Sequence, residues 1–187
     1  MTHSLSLPTL LALAVAPLIG LSSWVGQEQT TDPHANLQTT EIDRELQYTR
    51  QQVLMLDDLY KNAVVLITKH YVHQPTDLSA ATACKALFAA MKQKGHHEVR
   101  LLDATGSPYN DENLANDSFE KKAIDSIKQG NQSFEDVEKR QDGRYLRFAT
   151  AVPVVMDKCV MCHESYKDVK QGEAIGALTY TVKIPAR

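Results

Sequence analysis

The sequence predicts an α+β domain in which a long N-terminal helix and a second helix pack on an antiparallel sheet. Three observations predict it. Apolar residues recur at helical spacing across residues 40–71. Two late stretches, "GRYLRFATAVPVV" and "IGALTYTVKI", alternate apolar and polar residues as half-buried strands do. A short helical pattern, "SFEKKAIDSIKQG", lies between the early helices and these strands, so helices come first and antiparallel strands later, without the strand–helix alternation of a parallel sheet.

The first 27 residues carry no Asp, Glu, Lys or Arg. Their apolar run, Leu10 to Leu21, has the length of a signal-peptide core and ends in the small residues Gly20, Ser22 and Ser23. It has no polar face, which excludes a surface helix. No Lys or Arg precedes it and no Ala-x-Ala site follows. Residues 1–26 are therefore read as a signal peptide or an N-terminal anchor. Either form predicts export to the periplasm, soluble after cleavage or anchored by residues 8–26. Residues 27–39 are polar, contain Pro33 and read as a linker. The domain proper is then 40–187.

Within it, Thr40 offers an N-cap followed by the acidic Glu41 and Asp43. Apolar positions Ile42, Leu46, Val53, Leu56, Tyr60, Ala63 and Ile67 follow a heptad-like stripe, broken by Thr49. That spacing predicts one helix over 40–71, packed on the domain behind it, and leaves a homodimer through the same helix open. Pro75 breaks the chain, and a second helix starts near Asp77 or Ser79 and stops at Gly95. Ala80, Cys84, Leu87, Phe88 and Met91 share one of its faces, so Cys84 points inward. "HEVRLLDATG" suits a strand with a turn at Gly106. "SFEKKAIDSIKQG" suits a short helix capped by Asp117 or Ser118.

A hydrophobic share of 43% supports a true core within 187 residues, and a net charge of −3 argues against a nucleic-acid binder. The chemistry concentrates in "DKCVMCHESY". Cys159-Val-Met-Cys162-His163 holds two of only three cysteines. A structural zinc site would need a second such pair. A thioredoxin-like site would need a βαβ setting. A simple disulfide would leave His163 without a role. Covalent attachment of one haem c uses every residue: both thiols form thioethers, and His163 becomes the proximal iron ligand.

Cys84 is then the odd cysteine. It is open to three roles: a small buried hydrophobe, an interchain disulfide, or the distal iron ligand. The rival distal donors are His70, His73, His96, His97, Met91 and Met156. Arg147, with Arg144 and Lys158 behind it, is the candidate contact for the haem propionates.

The order of "LYKNAVVLITKHY", inward Cys84, the loop "NLANDSFE", "YLRFATAVPVVMDKCVMCH" and a last strand "IGALTYTV" resembles one family: bacterial mono-haem c domains with a PAS-like fold, found as periplasmic proteins and sensory ectodomains. The likeness spans about residues 45–184. It implies a PAS-like sheet, with haem c attached near the C-terminus. It further implies that Cys159 and Cys162 hold the haem, His163 its proximal side and Cys84 its distal side. The loop departs from the family pattern, with Phe119-Glu120 and "GSPYNDEN" where a Trp-Glu and an Arg-Asn-Pro-like turn are expected.

Thiolate and imidazole on one iron favour the ferric state. The resulting expectation is a redox-responsive sensor module in which Cys84 leaves on reduction, opening a position for a small gas. The alternative is a periplasmic electron-transfer cytochrome with a permanent sixth ligand. The partner is a redox donor or acceptor, or a signalling chain. Peroxide or nitrogen-oxide turnover would need acid–base groups beside an open distal position, so the reading is non-enzymatic.

Overall fold

A computed structural model describes residues 33–74 and 77–186. The signal or anchor segment 1–26 and the linker up to residue 32 lie outside the described residues. Helix α1 spans Pro33–Tyr71. It begins seven residues before the Thr40 start predicted above, within the segment read as linker. Pro33 suits the first helical position, where an N–H would have no intrahelical partner.

The periodic face of α1 turns inward. Val53 and Tyr60 are buried, and Leu46, Leu56, Val64 and Ile67 pack against the same cluster. Thr49, the break in the stripe, is wholly buried as well. Its hydroxyl is satisfied by donating to the Glu45 carbonyl at 2.9 Å, one turn back. The core therefore consumes the residues that a dimer seam along this stripe would have used.

Helix α2 (Ala80–Gln93) is capped by Ser79, whose Oγ accepts from the Thr82 N–H at 3.1 Å. Asp77, the other predicted cap, instead closes the preceding turn by accepting from the His73 and Gln74 N–H groups. Ala80, Cys84 and Phe88 are buried, but Leu87 is exposed and lies off that face. The helix ends at Lys94, with Gly95 at φ 73° turning the chain.

Strands β1 (Glu98–Asp103), β2 (Ser133–Arg140), β3 (Gly143–Pro153) and β4 (Ala174–Ile184) form one antiparallel sheet in the order β1-β4-β3-β2. Between β1 and β2 runs α3 (Ser118–Lys128), capped by Asp117, which accepts from the Glu120 N–H at 2.8 Å. Between β3 and β4 lies the short helix α4 (Asp157–Cys162).

The sheet has two apolar faces. Leu146, Phe148, Leu178 and Tyr180 meet α1 and α2. Ala149, Ala151, Leu102 and Ala177 meet Phe119, Ala123, Ile124 and Ile127 of α3. Beside them, Val154, Tyr166 and Ile175 form a small third cluster against Cys159 and Val160. Gly176 has a specific reason to be glycine: a Cβ there would collide with the backbone carbonyl of Leu102 on the paired strand β1.

Candidate functional site

A cavity of about 290 Å³ opens between α1, α2, the sheet and α4. Val64, Phe88, Leu101, Val152 and Leu178 supply apolar walls, each from an element already committed to the core. Three candidate residues reach this one space: Cys84, and from far along the chain Cys159 and His163.

Cys84 arrives from the inward face of α2, where it is 3% exposed. Burial pushes its thiol pKa above the ordinary value. Cys159 is half-buried in the first turn of α4, and both Cys84 and Cys159 carry free thiols. Cys162 closes α4, but its side chain lies outside the described residues.

His163 follows directly as the C-cap of α4, its N–H bonded to the Val160 carbonyl at 3.2 Å. The imidazole stacks on Tyr166 with centroids 4.5 Å apart and planes 14° from parallel. Tyr109 packs on it at 5.1 Å, tilted. Burial holds His163 below its ordinary pKa, while the Asp103 carboxylate pulls the other way. A neutral imidazole keeps a nitrogen lone pair available to a metal. Tyr166 is buried too, and its pKa is pushed up to about 12, chiefly by that burial.

The rival donors sort by position. Met156 lines the cavity. His70, His73 and His96 are exposed. His97 is buried, but Tyr60 claims it through a 2.8 Å hydrogen bond between the hydroxyl and Nε2. Met91 is half-buried at the far end of α2 and does not line the cavity. Among the described residues, no three His, Cys, Asp or Glu side chains cluster as a metal site.

Arg147 does not reach the cavity. Strand alternation turns it to the α3 face, opposite its neighbours Leu146 and Phe148. There it pairs with Asp117 at 2.8 Å and Glu138 at 3.4 Å, and its guanidinium lies 4.5 Å above the Phe119 ring centroid. Its expected contact with propionates is withdrawn on that geometry. Arg144 does not line the cavity either.

The lysines that line the cavity are Lys61 and Lys158. Lys158 donates to the carbonyls of Val72 at 2.8 Å and Lys69 at 3.1 Å, fastening α4 to the C-terminal end of α1. Lys61 pairs with Asp57 at 2.9 Å. Asp57 is itself buried and accepts from the hydroxyls of Thr150 at 2.5 Å and Tyr180 at 2.9 Å. Sequence reasoning missed Lys61 and Asp57. The available signal was a charged i,i+4 pair on and beside the face where Val53, Tyr60 and Val64 are apolar.

The model of the family described as Tll0287-like matches residues 27–182. The chain belongs to the Tll0287-like family. The match takes in every element of this Tll0287-like fold apart from the last two residues of β4, and so includes Cys84, Cys159, Cys162 and His163. No curated protein and no solved structure matches the chain.

Proposed function

We propose that this Tll0287-like protein is an exported c-type haem protein with a PAS-like domain, acting as a redox-responsive module. One observation carries the reading: Cys84 of α2 and the Cys159–His163 segment, far apart in the chain, line one mostly apolar cavity. Its volume of about 290 Å³ lies at the low end of the roughly 300–1,000 Å³ of ordinary ligand pockets. The donor set also fits. Two thiols three residues apart suit thioether attachment, and the imidazole beside them and the thiol across the cavity suit axial ligation.

In this reading Cys159 and Cys162 hold one haem c, His163 is the proximal ligand and Cys84 the distal one. Bound there, the haem would supply a one-electron iron couple whose potential depends on the axial donors and on burial. The chain's own residues do the rest. Val64, Leu101, Val152 and Leu178 exclude water, and Tyr109 and Tyr166 flank the His163 ring. Cys84 sits on a helix packed against α1, so a change in what Cys84 engages is transmitted to that helix. A small gas suits the apolar walls, and the output is a redox or signalling partner chain. Export is supported by the uncharged apolar run ahead of the domain. No helix among the described residues is long and apolar enough to cross a membrane.

The test is spectroscopic. The purified protein, ferric and dithionite-reduced, is compared with Cys84→Ala by absorption and electron paramagnetic resonance, and covalent haem is assayed as the pyridine haemochrome. The expected result is a low-spin thiolate signature, absent in Cys84→Ala, with a new coordination state on reduction. Protein secreted without covalent haem would overturn the cofactor assignment. A ferrous state that keeps Cys84 bound would leave an electron carrier and remove the sensor.

A further inference from the structure

The cavity has two ends that differ in chemistry. Helix α1 lines it with Lys61, Val64, Val65 and Thr68, and Val72 just past the end of the helix continues the wall. The helical positions fall on one stripe, and Lys61 and Val72 are eleven residues apart, about 16 Å at the helical rise. At the Val72 end sits α4, fixed there because the Lys158 ammonium donates to the Val72 and Lys69 carbonyls. Cys159 follows Lys158 in the chain, so the attachment thiol belongs to this end. Helix α2 begins nearby at Ala80, and its Phe88 packs edge-on against Tyr60, 5.0 Å between centroids. Cys84 therefore lies between the two ends, and Lys61 marks the other.

Lys61 and Lys158 are not equivalent. The Lys158 ammonium is committed to two backbone carbonyls. An ammonium has three donors, and Lys61 directs one of them to the Asp57 carboxylate. That carboxylate is anchored by Thr150 and Tyr180, which fixes where the Lys61 head group sits. The result is a cation held at one end of a cavity whose walls are mostly apolar, which is a site for a carboxylate on an apolar body.

A c-type haem has this polarity. Its thioether-forming vinyl carbons are on one edge of the macrocycle and its two propionates on the opposite edge. With Cys159 at the Val72 end, a haem held there by its thioethers would turn its carboxylate edge toward the Lys61 end. We infer that Lys61, positioned by Asp57, is the residue that pairs with the carboxylate-bearing edge of the ligand. This rests on the haem reading above. It assigns to α1 the contact that the sequence had suggested for Arg147. Lys61 is a positioning residue: it orients the ligand and takes no part in axial ligation.

The experiment uses the full-length haem-loaded protein and the variants Lys61→Met and Lys61→Arg, with Arg147→Met as control. Resonance Raman spectroscopy reads the propionate bending modes, which follow hydrogen bonding at the carboxylates, and potentiometry reads the midpoint. Lys61→Met is expected to shift those modes and lower the midpoint, because a cation that offsets ferrous charge is gone. Lys61→Arg is expected to restore both in large part, and Arg147→Met to leave them unchanged. Covalent haem with unchanged propionate modes in Lys61→Met would overturn the inference and leave the haem reading standing. Absence of covalent haem from the wild type would overturn both. If Lys61→Met does not accumulate, Lys61→Gln, shorter and uncharged, is read in the same way.

Discussion

The buried polar cluster under α1 makes a quantitative claim that Tyr180→Phe tests. Tyr180 is wholly buried, and its hydroxyl donates to Asp57 Oδ1 at 2.9 Å. Burial first, and then the Asp57 carboxylate, keep that phenol protonated far above the usual tyrosine range. A hydrogen bond to a charged acceptor contributes about 1.5–3 kcal/mol. Removing this one leaves Oδ1 with the Thr150 hydroxyl at 2.5 Å and Oδ2 with Lys61 at 2.9 Å. The carboxylate is thus not orphaned, which places the cost near the lower bound, about 1.5–2 kcal/mol. With a urea m-value of about 2 kcal/mol/M, the unfolding midpoint should fall by roughly 1 M. Thr150→Val in the same background removes the last hydroxyl donor to Oδ1. The double variant should therefore lose more than the sum of the singles, by about 0.5 kcal/mol or more. The assay is equilibrium urea unfolding followed by far-ultraviolet circular dichroism. A Tyr180→Phe midpoint within about 0.2 M of wild type, about 0.4 kcal/mol at that m-value, would refute the reasoning. So would strictly additive losses.

Three further outcomes are expected. Gly176→Ala should destabilise by about 1–3 kcal/mol, the usual cost of overpacking, because the added methyl meets the Leu102 carbonyl across a strand pair; a thermal melt checks it. Burial, with His96 beside it, holds His97 below its ordinary pKa, and its Nε2 shares a hydrogen bond with the Tyr60 hydroxyl. Below about pH 6.5 the unfolded chain binds the extra proton first. His97 thus contributes stability above that pH, lost as pH falls through the lower folded-state pKa. Melting temperatures from pH 8 to 5 should fall less in His97→Gln than in wild type. Lys158→Met should speed amide hydrogen exchange in the last turn of α1 and in α4, since a cation at the helix C-terminus contributes about 0.3–1 kcal/mol and this one bridges two elements; unchanged exchange would contradict the fastening.

What could be read from the sequence follows the range of each signal. The α1 stripe and strands β3 and β4 are local period patterns backed by continuous burial, and they were legible. Strand β2 was not, because "SFEDVEKR" lies on an edge of the sheet with none of its residues fully buried, and its charges mask the alternation. The early start of α1 was hidden by a polar segment with no apolar period. Cys159, Cys162 and His163 stand out because their motif is contiguous. That Cys84 lines the same cavity as Cys159 and His163 depends on how α2 is laid across the sheet, which no local window encodes. Arg147 failed for a related reason. Alternation fixes that it opposes Phe148, but not which face of the sheet carries the cavity. Lys61 was passed over because a lysine one turn after an aspartate looks like a solvated helix pair. Only the hydroxyls of Thr150 and Tyr180, from β3 and β4, reveal that Asp57 is buried.

These contacts give α1 a role beyond roofing the sheet. Cys84 reaches it through α2, whose Phe88 packs on Tyr60. Helix α4 reaches it through Lys158. The sheet reaches it through the Asp57 carboxylate, and Lys61 adds one end of the cavity. An element fastened at several separate points does not tilt freely; it moves when one fastening changes while the others hold. On α1 itself, Asp57 and Lys69, whose carbonyl Lys158 holds, are twelve residues apart, roughly 18 Å along its axis, and Cys84 lies between those grips. A displacement of Cys84 therefore acts between two fixed points and favours rotation or bending of α1 over translation.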